Sequence, residues 1–161
     1  MMIIMINSTT TATRPADDHR ENSVTLAAIA PDVFDMVDGS PRLIGARRKE
    51  DGAIVFPAPS GSEASLYERV HLSDRGTLWS YTVQRFRPKS PPYAGVEGER
   101  DFKPYAVGYV ELPGEVIVES RLSVDDFARL RIGMKMRLAL QRFGKAPGGE
   151  FLSYVFEPEA D

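Results

Sequence analysis

The 161-residue chain contains no cysteine, which closes off disulfides, cysteine-ligated zinc and thiolate nucleophiles. Histidine is almost as scarce: His19 and His71 lie far apart in sequence and form no metal-ligand or general-base motif. Long hydrophobic runs are missing too. The one apolar stretch at the start, Met1 to Ile6, falls far short of the roughly 18–20 residues a membrane span requires. Polar Asn7-Ser8-Thr9-Thr10 follows it directly and no basic segment precedes it, so it makes a poor secretory signal. The expectation is a cytoplasmic protein without membrane contact. An excess of basic charge is also lacking: 20 Lys and Arg stand against 23 Asp and Glu, a net charge of -3. Such a chain has no global attraction for nucleic acid or anionic lipid, and only a local basic patch would supply one.

What is present, 42% hydrophobic and 27% charged residues, suits one globular domain with some loosely held sequence. Residues 1–22, polar from Asn7 onward, read as a flexible tail. Over residues 23–40 the apolar spacing of Val24, Leu26, Ile29, Val33, Phe34 and Val37 predicts two short helices, with Pro31 in the first turn of the second and Gly39 just past its end. This helical arm packs on its own barrel or docks onto a partner. Within residues 41–65, two strand-like runs at 42–48 and 53–56 flank Lys49-Glu50-Asp51-Gly52, whose Asp-Gly is a hairpin signal. Pro57-Ala58-Pro59-Ser60-Gly61-Ser62 then breaks the chain.

Regular strand signals occupy residues 66–161. Residues 66–72 lead in, and a long run from Gly76 to Arg87 alternates Trp79, Tyr81 and Val83 with Ser80, Thr82 and Gln84. A proline- and glycine-rich segment follows over 88–101. Strand character returns at 105–112, and Pro113-Gly114 turns it into 115–122. Ser123-Val124-Asp125-Asp126 has capping-box spacing and predicts one short helix. Period-two alternation of Met134, Met136, Leu138 and Leu140, a turn-rich gap, and residues 151–156 give two last strands. Three strands, a helix and two strands is the order of an OB-fold, a mainly β, five-stranded barrel with one inserted helix. A sandwich extended by residues 42–72 is the alternative, and would leave that helix incidental.

At this point the chain resembles a known family. Its marks are Gly52 before Val55-Phe56-Pro57, and Leu72-Ser73 with Arg75-Gly76-Thr77-Leu78-Trp79-Ser80-Tyr81-Thr82-Val83. They continue with Pro104-Tyr105-Ala106-Val107-Gly108-Tyr109-Val110-Glu111-Leu112, Arg131-Ile132-Gly133-Met134-Lys135-Met136 and the ending from Tyr154 to Pro158. Together, in order and spacing over residues 43–158, they are similar to the acyl-CoA-associated OB-fold proteins with an N-terminal rubredoxin-like zinc ribbon, catalogued as domain of unknown function thirty-five. The resemblance implies an accessory subunit in a hetero-oligomer with a thiolase-fold enzyme or a hot-dog enoyl-CoA hydratase of lipid metabolism, and possible contact with an acyl-CoA ligand. One departure matters. Where the family's ribbon places its first Cys-x-x-Cys pair, this sequence has Arg48 and Asp51, and the second pair falls in residues 58–65, which hold no cysteine. The hairpin is therefore expected to be a degenerate, metal-free ribbon. Four thiolates on zinc supply on the order of 10 kcal/mol to such modules, so other contacts must hold it, for instance Phe56 and Leu43 against the barrel or a partner.

No catalytic constellation is legible. Ser73 and Ser80 sit in turn and strand patterns without a nucleophile elbow, and Asp125 and Asp126 read as helix N-terminal charge. No cofactor is implied. The candidate ligand feature is Arg85-Phe86-Arg87-Pro88-Lys89 at the end of the first barrel strand. Alternation places Arg85 and Arg87 on the side of Trp79 and Tyr81, so guanidinium groups for CoA phosphates and aromatic faces for its adenine would share one surface. Against that stands the plainer reading of Trp79 and Tyr81 as core and the arginines as a solvated strand end. OB barrels also bind single-stranded nucleic acid on basic aromatic grooves; Glu97, Glu99 and Asp101 in the loop after Lys89 make that the less favoured alternative.

Overall fold

A computed structural model describes residues 27–28, 32–89, 98, 100–146 and 149–160. The expected tail over 1–22, His19, and the loop residues 90–97 lie outside these.

Strands β1 (Ala27–Ala28), β2 (Phe34–Val37), β3 (Ser40–Arg48), β4 (Ile54–Val55) and β5 (Tyr67–His71) precede the barrel. β6 (Arg75–Gln84), β7 (Tyr105–Glu111), β8 (Ile117–Leu122), β9 (Lys135–Ala146) and β10 (Gly149–Pro158) form it. β6, β7 and β8 are antiparallel neighbours. β8 meets β10 in parallel at Leu122 and Phe156, β10 pairs antiparallel with β9, and β9 returns to β6. The five strands close into a ring, which leaves no free edge and rules out the extended sandwich. Alternation fills the ring: Leu78, Val110, Val118, Met136 and Phe156 are all within 1% of complete burial. Where β9 rejoins β6, Arg75 and Arg137 stand opposite each other. This like-charge pair is neutralised from β10 and the residue after it, Arg137 by Glu157 at 2.6 Å and Arg75 by Glu159.

The expected helices are corrected. Residues 34–37 form strand β2, because Asp38 and Gly39 both adopt positive φ, 49° and 77°, the conformation of a two-residue hairpin turn that leads Val37 back onto Ser40. Gly39 is thus a turn residue and caps no helix. The remaining described part of the expected arm, Ala27–Ala28, is also extended and lies parallel to β10. Between β8 and β9 the expected helix shrinks to one 3₁₀ turn, Phe127–Arg129, whose cap is Asp126 accepting from the Ala128 N–H at 2.9 Å. Ser123, the expected cap, instead gives its backbone N–H to the Phe156 carbonyl at 2.8 Å. The turn drops Leu130 into the barrel with no exposed surface.

The Asp51-Gly52 hairpin forms as read, joining β3 to β4. β5, expected to lead into the barrel, pairs along β3 from Ile44–His71 to Arg48–Tyr67, giving a second small sheet of β2, β3, β4 and β5. Leu43 of β3 and Leu72 after β5 belong to the same buried cluster as Leu78 and Phe156, so the two sheets share one core. Phe56 meets the ring of Tyr154 edge-on at 5.8 Å.

Candidate functional site

β6 carries the residues that sequence singles out, and a β-bulge decides where they point. Leu78 pairs with Val110 and Ser80 with Tyr109, so Trp79 is an extra residue opposite one step of β7. Leu78 points inward and Trp79 outward, 57% exposed. Beyond the bulge the alternation restarts, so Tyr81 and Val83 pack on the core and the Tyr81 hydroxyl reaches the Leu130 carbonyl at 3.4 Å. Trp79 and Tyr81 therefore lie on opposite faces of β6. Arg85, Arg87 and Lys89 come after the end of the strand at Gln84: Arg85 and Lys89 are exposed and Arg87 is half-buried. Gln84 donates to the Phe86 carbonyl at 2.6 Å, tying down the start of this segment, and the Phe86 side chain is 80% exposed.

Trp79 finds a different companion. The Tyr109 ring on β7 meets it edge-on with centroids 6.4 Å apart. The Tyr109 hydroxyl donates to Glu119 Oε2 on β8 at 3.1 Å, and this bond, helped by the charge of Glu119, holds the Tyr109 pKa above its ordinary value. With Ile117, 43% exposed, they make an outward strip of aromatic and apolar surface across β6, β7 and β8. The signal for Tyr109 was legible: strict alternation along β7 puts Val107, Tyr109 and Glu111 outward and Ala106, Gly108 and Val110 inward.

Around the barrel from this strip lies a cleft of about 560 Å³ between the small sheet and the strands β7 to β10. Phe56, Pro57 and Tyr154 line it where the small sheet meets the barrel, and Val107, Arg121, Phe143 and Phe151 line the rest. The Arg121 guanidinium lies 4.1 Å over the Tyr105 ring and 5.2 Å from that of Phe143. Burial, and then the charge of Glu119, raises the Tyr154 pKa. Sequence reasoning missed this cleft because its walls come from segments nearly a hundred residues apart.

Serine chemistry has no support in the geometry. Ser73 Oγ donates to the Arg75 carbonyl and accepts from the Arg75 N–H, a closed local turn. His71 Nε2 lies 3.5 Å from Asp35 Oδ2. Among the described residues no three His, Asp or Glu side chains are grouped to hold a metal ion. The two positions at which the family resemblance places a first ligand pair hold an ion pair: Arg48 Nε donates to Asp51 Oδ1 at 2.9 Å. The Ala53 N–H and then Arg48 hold the Asp51 pKa below the usual carboxylate range. Lys49 crosses to the second ligand segment, its Nζ donating to the Ser65 carbonyl at 2.7 Å and its N–H to that of Leu66 at 3.0 Å.

A closed five-stranded barrel in the order β6-β7-β8-β10-β9, with its only described inter-strand helical turn between β8 and β9, is an OB-fold. Residues 69–141 match the family model of the C-terminal OB-fold domain of ChsH2, in agreement with the family resemblance carried by the sequence. The fold is also that of a solved structure, the Ltp2-ChsH2(DUF35) aldolase, which shares 22% identity at a TM-score of 0.51, covering 73% of this chain and 84% of that one. No curated protein shows significant similarity to the chain. No helix among the described residues is long and apolar enough to cross a membrane.

Proposed function

We propose that this chain is a non-catalytic accessory subunit of a cytoplasmic enzyme complex that processes acyl-CoA thioesters, its catalytic partner being a thiolase-fold or related acyl-CoA enzyme. The observation that carries the reading is the strip of Trp79, Tyr109 and Ile117, solvent-facing on a barrel that offers no nucleophile paired with a base among its described residues. Exposed aromatic groups held rigidly on a sheet are typical anchors of protein interfaces. The name of the Ltp2-ChsH2(DUF35) aldolase joins a related barrel to a second protein, which supports the same role here. The degenerate ribbon over residues 41–65 would serve as part of the docking surface. Arg85, Arg87 and Lys89 are proposed to meet CoA phosphates, with Trp79, on the outer face, and not the core-packed Tyr81, as the available aromatic face.

The test is co-purification of the natively expressed chain. A stoichiometric acyl-CoA enzyme that is recovered with the wild type and lost with Trp79→Ala plus Tyr109→Ala supports the reading, and a chain that stays alone at native abundance refutes it. In the recovered complex, Arg85→Ala with Arg87→Ala should weaken CoA-thioester binding at least about tenfold, since hydrogen bonds to charged groups contribute roughly 1.5–3 kcal/mol each. Unchanged affinity removes the CoA role and leaves the accessory role standing.

A further inference from the structure

We propose that the cleft between the small sheet and β7 to β10 is a ligand site of this chain in its own right, taking the uncharged hydrocarbon body of a small molecule. Its volume, about 560 Å³, falls among those of small-molecule pockets, which run from roughly 300 to 1,000 Å³. Its walls are built of paired aromatic rings. Phe143 and Phe151 are cross-strand partners on β9 and β10, stacked with centroids 5.9 Å apart. On the side nearest the small sheet, Phe56 and Tyr154 lock each other edge to face at 84°. Both partners of each pair are anchored on strands or at a strand end, so the opening between them is preformed, and a ligand entering it orders few side chains.

The charge pattern selects the ligand. Among the described residues two charged side chains border the cleft, and both are engaged by the protein: Arg121 lies against the faces of Tyr105 and Phe143, and Glu119 accepts a hydrogen bond from the Tyr109 hydroxyl. A charged ligand buried here would break those contacts or lose its hydration without a dedicated counter-charge, whereas a neutral hydrocarbon body exchanges water for aromatic faces. The polar end of such a molecule would remain at the mouth. The cleft lies at the end of the barrel where β6 runs into the segment bearing Arg85, because Gln84 pairs with Tyr105, and Val107, two residues along β7, pairs with Arg121. The inference is independent of any partner enzyme and is tested on the isolated full chain.

N-phenyl-1-naphthylamine, a neutral probe that brightens in apolar surroundings, should bind saturably at one site per chain. Its anionic counterpart, 8-anilino-1-naphthalenesulfonate, should bind at least tenfold more weakly. Ser153→Phe, which projects a ring into the cleft from β10, and Phe143→Ala, which removes a wall, should each weaken the neutral probe at least tenfold. Far-ultraviolet circular dichroism and a cooperative thermal transition verify that each variant is folded. Competition by decan-1-ol indicates a chain-shaped occupant, and competition by 2-naphthol a fused-ring one. Absence of saturable binding, equal binding of the anionic probe, or unchanged affinity in both folded variants would overturn the proposal. Displacement of the probe by a co-purified partner protein would overturn it as well, by making the cleft a protein seat.

Discussion

At Gly76 a single added carbon would lie 2.5 Å from the Glu111 carbonyl oxygen and 2.7 Å from Val110 Cγ1. The first of these is backbone and cannot rotate away. β6 and β7 are pressed together at this point, just before the bulge, and the absence of a side chain is what permits it. Gly76→Ala is therefore expected to destabilise the fold by about 1–3 kcal/mol, the usual cost of overpacking. It should be seen as a lower urea midpoint with an unchanged slope. A titration follows from Glu119. The Tyr109 hydroxyl bonds it, and its charge adds to the burial of Tyr154, so both phenols ionise above their ordinary pKa of 10.0. A phenol whose folded pKa is raised contributes stability that is fully present below the unfolded pKa and is lost as pH rises through the folded one. Glu119→Gln should lower both pKa values, with Tyr154 staying raised through burial, in an absorbance titration at alkaline pH; two unshifted transitions would refute the pairing. At this scale legibility was uneven. The polar-apolar rhythm from Trp79 to Val83 reads as unbroken, and only the two adjacent apolar residues Leu78 and Trp79 mark the place where the register slips. A bulge adds a residue without changing composition, so the shared face expected for Trp79 and Tyr81 followed from the alternation beyond that pair.

Among the elements, the two Asp-Gly pairs make an instructive contrast. Asp51-Gly52 was legible as a hairpin because strand-like runs flank it. Asp38-Gly39 carries the same turn chemistry, but its upstream neighbours Val33, Phe34 and Val37 also fit a helical stripe, and Pro31 fits a helix start. Pairing with β3 outweighed that local preference, since β2 gains ladder bonds to a strand already fixed by the core. The same small sheet is held by side-chain contacts: Arg48 grips Asp51 across the turn, and Lys49 links that turn to the Gly61–Leu66 3₁₀ turn. The absence of cysteine was legible in the sequence, but these contacts were not, since they depend on side-chain geometry. Protein purified without a metal-binding tag should contain no stoichiometric zinc by elemental analysis, and chelators should leave its melting temperature unmoved. Asp51→Ala should speed amide exchange at Gly52 and Ala53, since the carboxylate accepts from the Ala53 N–H at 3.0 Å. Because the folded-state pKa of Asp51 is depressed, its contribution is present above the ordinary carboxylate pKa and fades as pH falls through the lower folded value.

For the molecule as a whole, the barrel was legible because closure is written in the order of strands and in their inward residues, while the cleft was not. Phe56, Val107, Phe143 and Tyr154 converge only after the small sheet and the barrel fuse through Leu43 and Leu72, a juxtaposition no local pattern encodes. The same scale decides between the two readings an OB barrel invites. A single-strand binder stacks bases on aromatic platforms set in positive potential. Here the platform of Trp79 and Tyr109 is bordered by Glu119, which holds Tyr109, and by Glu111, the cross-strand partner of Ile117, on a chain of net charge -3. The cations of residues 85–89 suffice for the phosphates of one CoA, whereas a strand of stacked bases would carry successive phosphates past these carboxylates, with few Lys or Arg side chains there to displace the strand's condensed counterions. An oligonucleotide titrated at low salt should therefore leave Trp79 emission unchanged, whereas tight binding that falls steeply with added salt would establish the nucleic-acid reading. A protein partner faces no such repulsion. It can cover the aromatic pair and meet the two glutamates with basic side chains, so Trp79 emission should shift to the blue on assembly with the co-purified enzyme, and a tryptophan spectrum indifferent to that partner would place the interface elsewhere on the barrel.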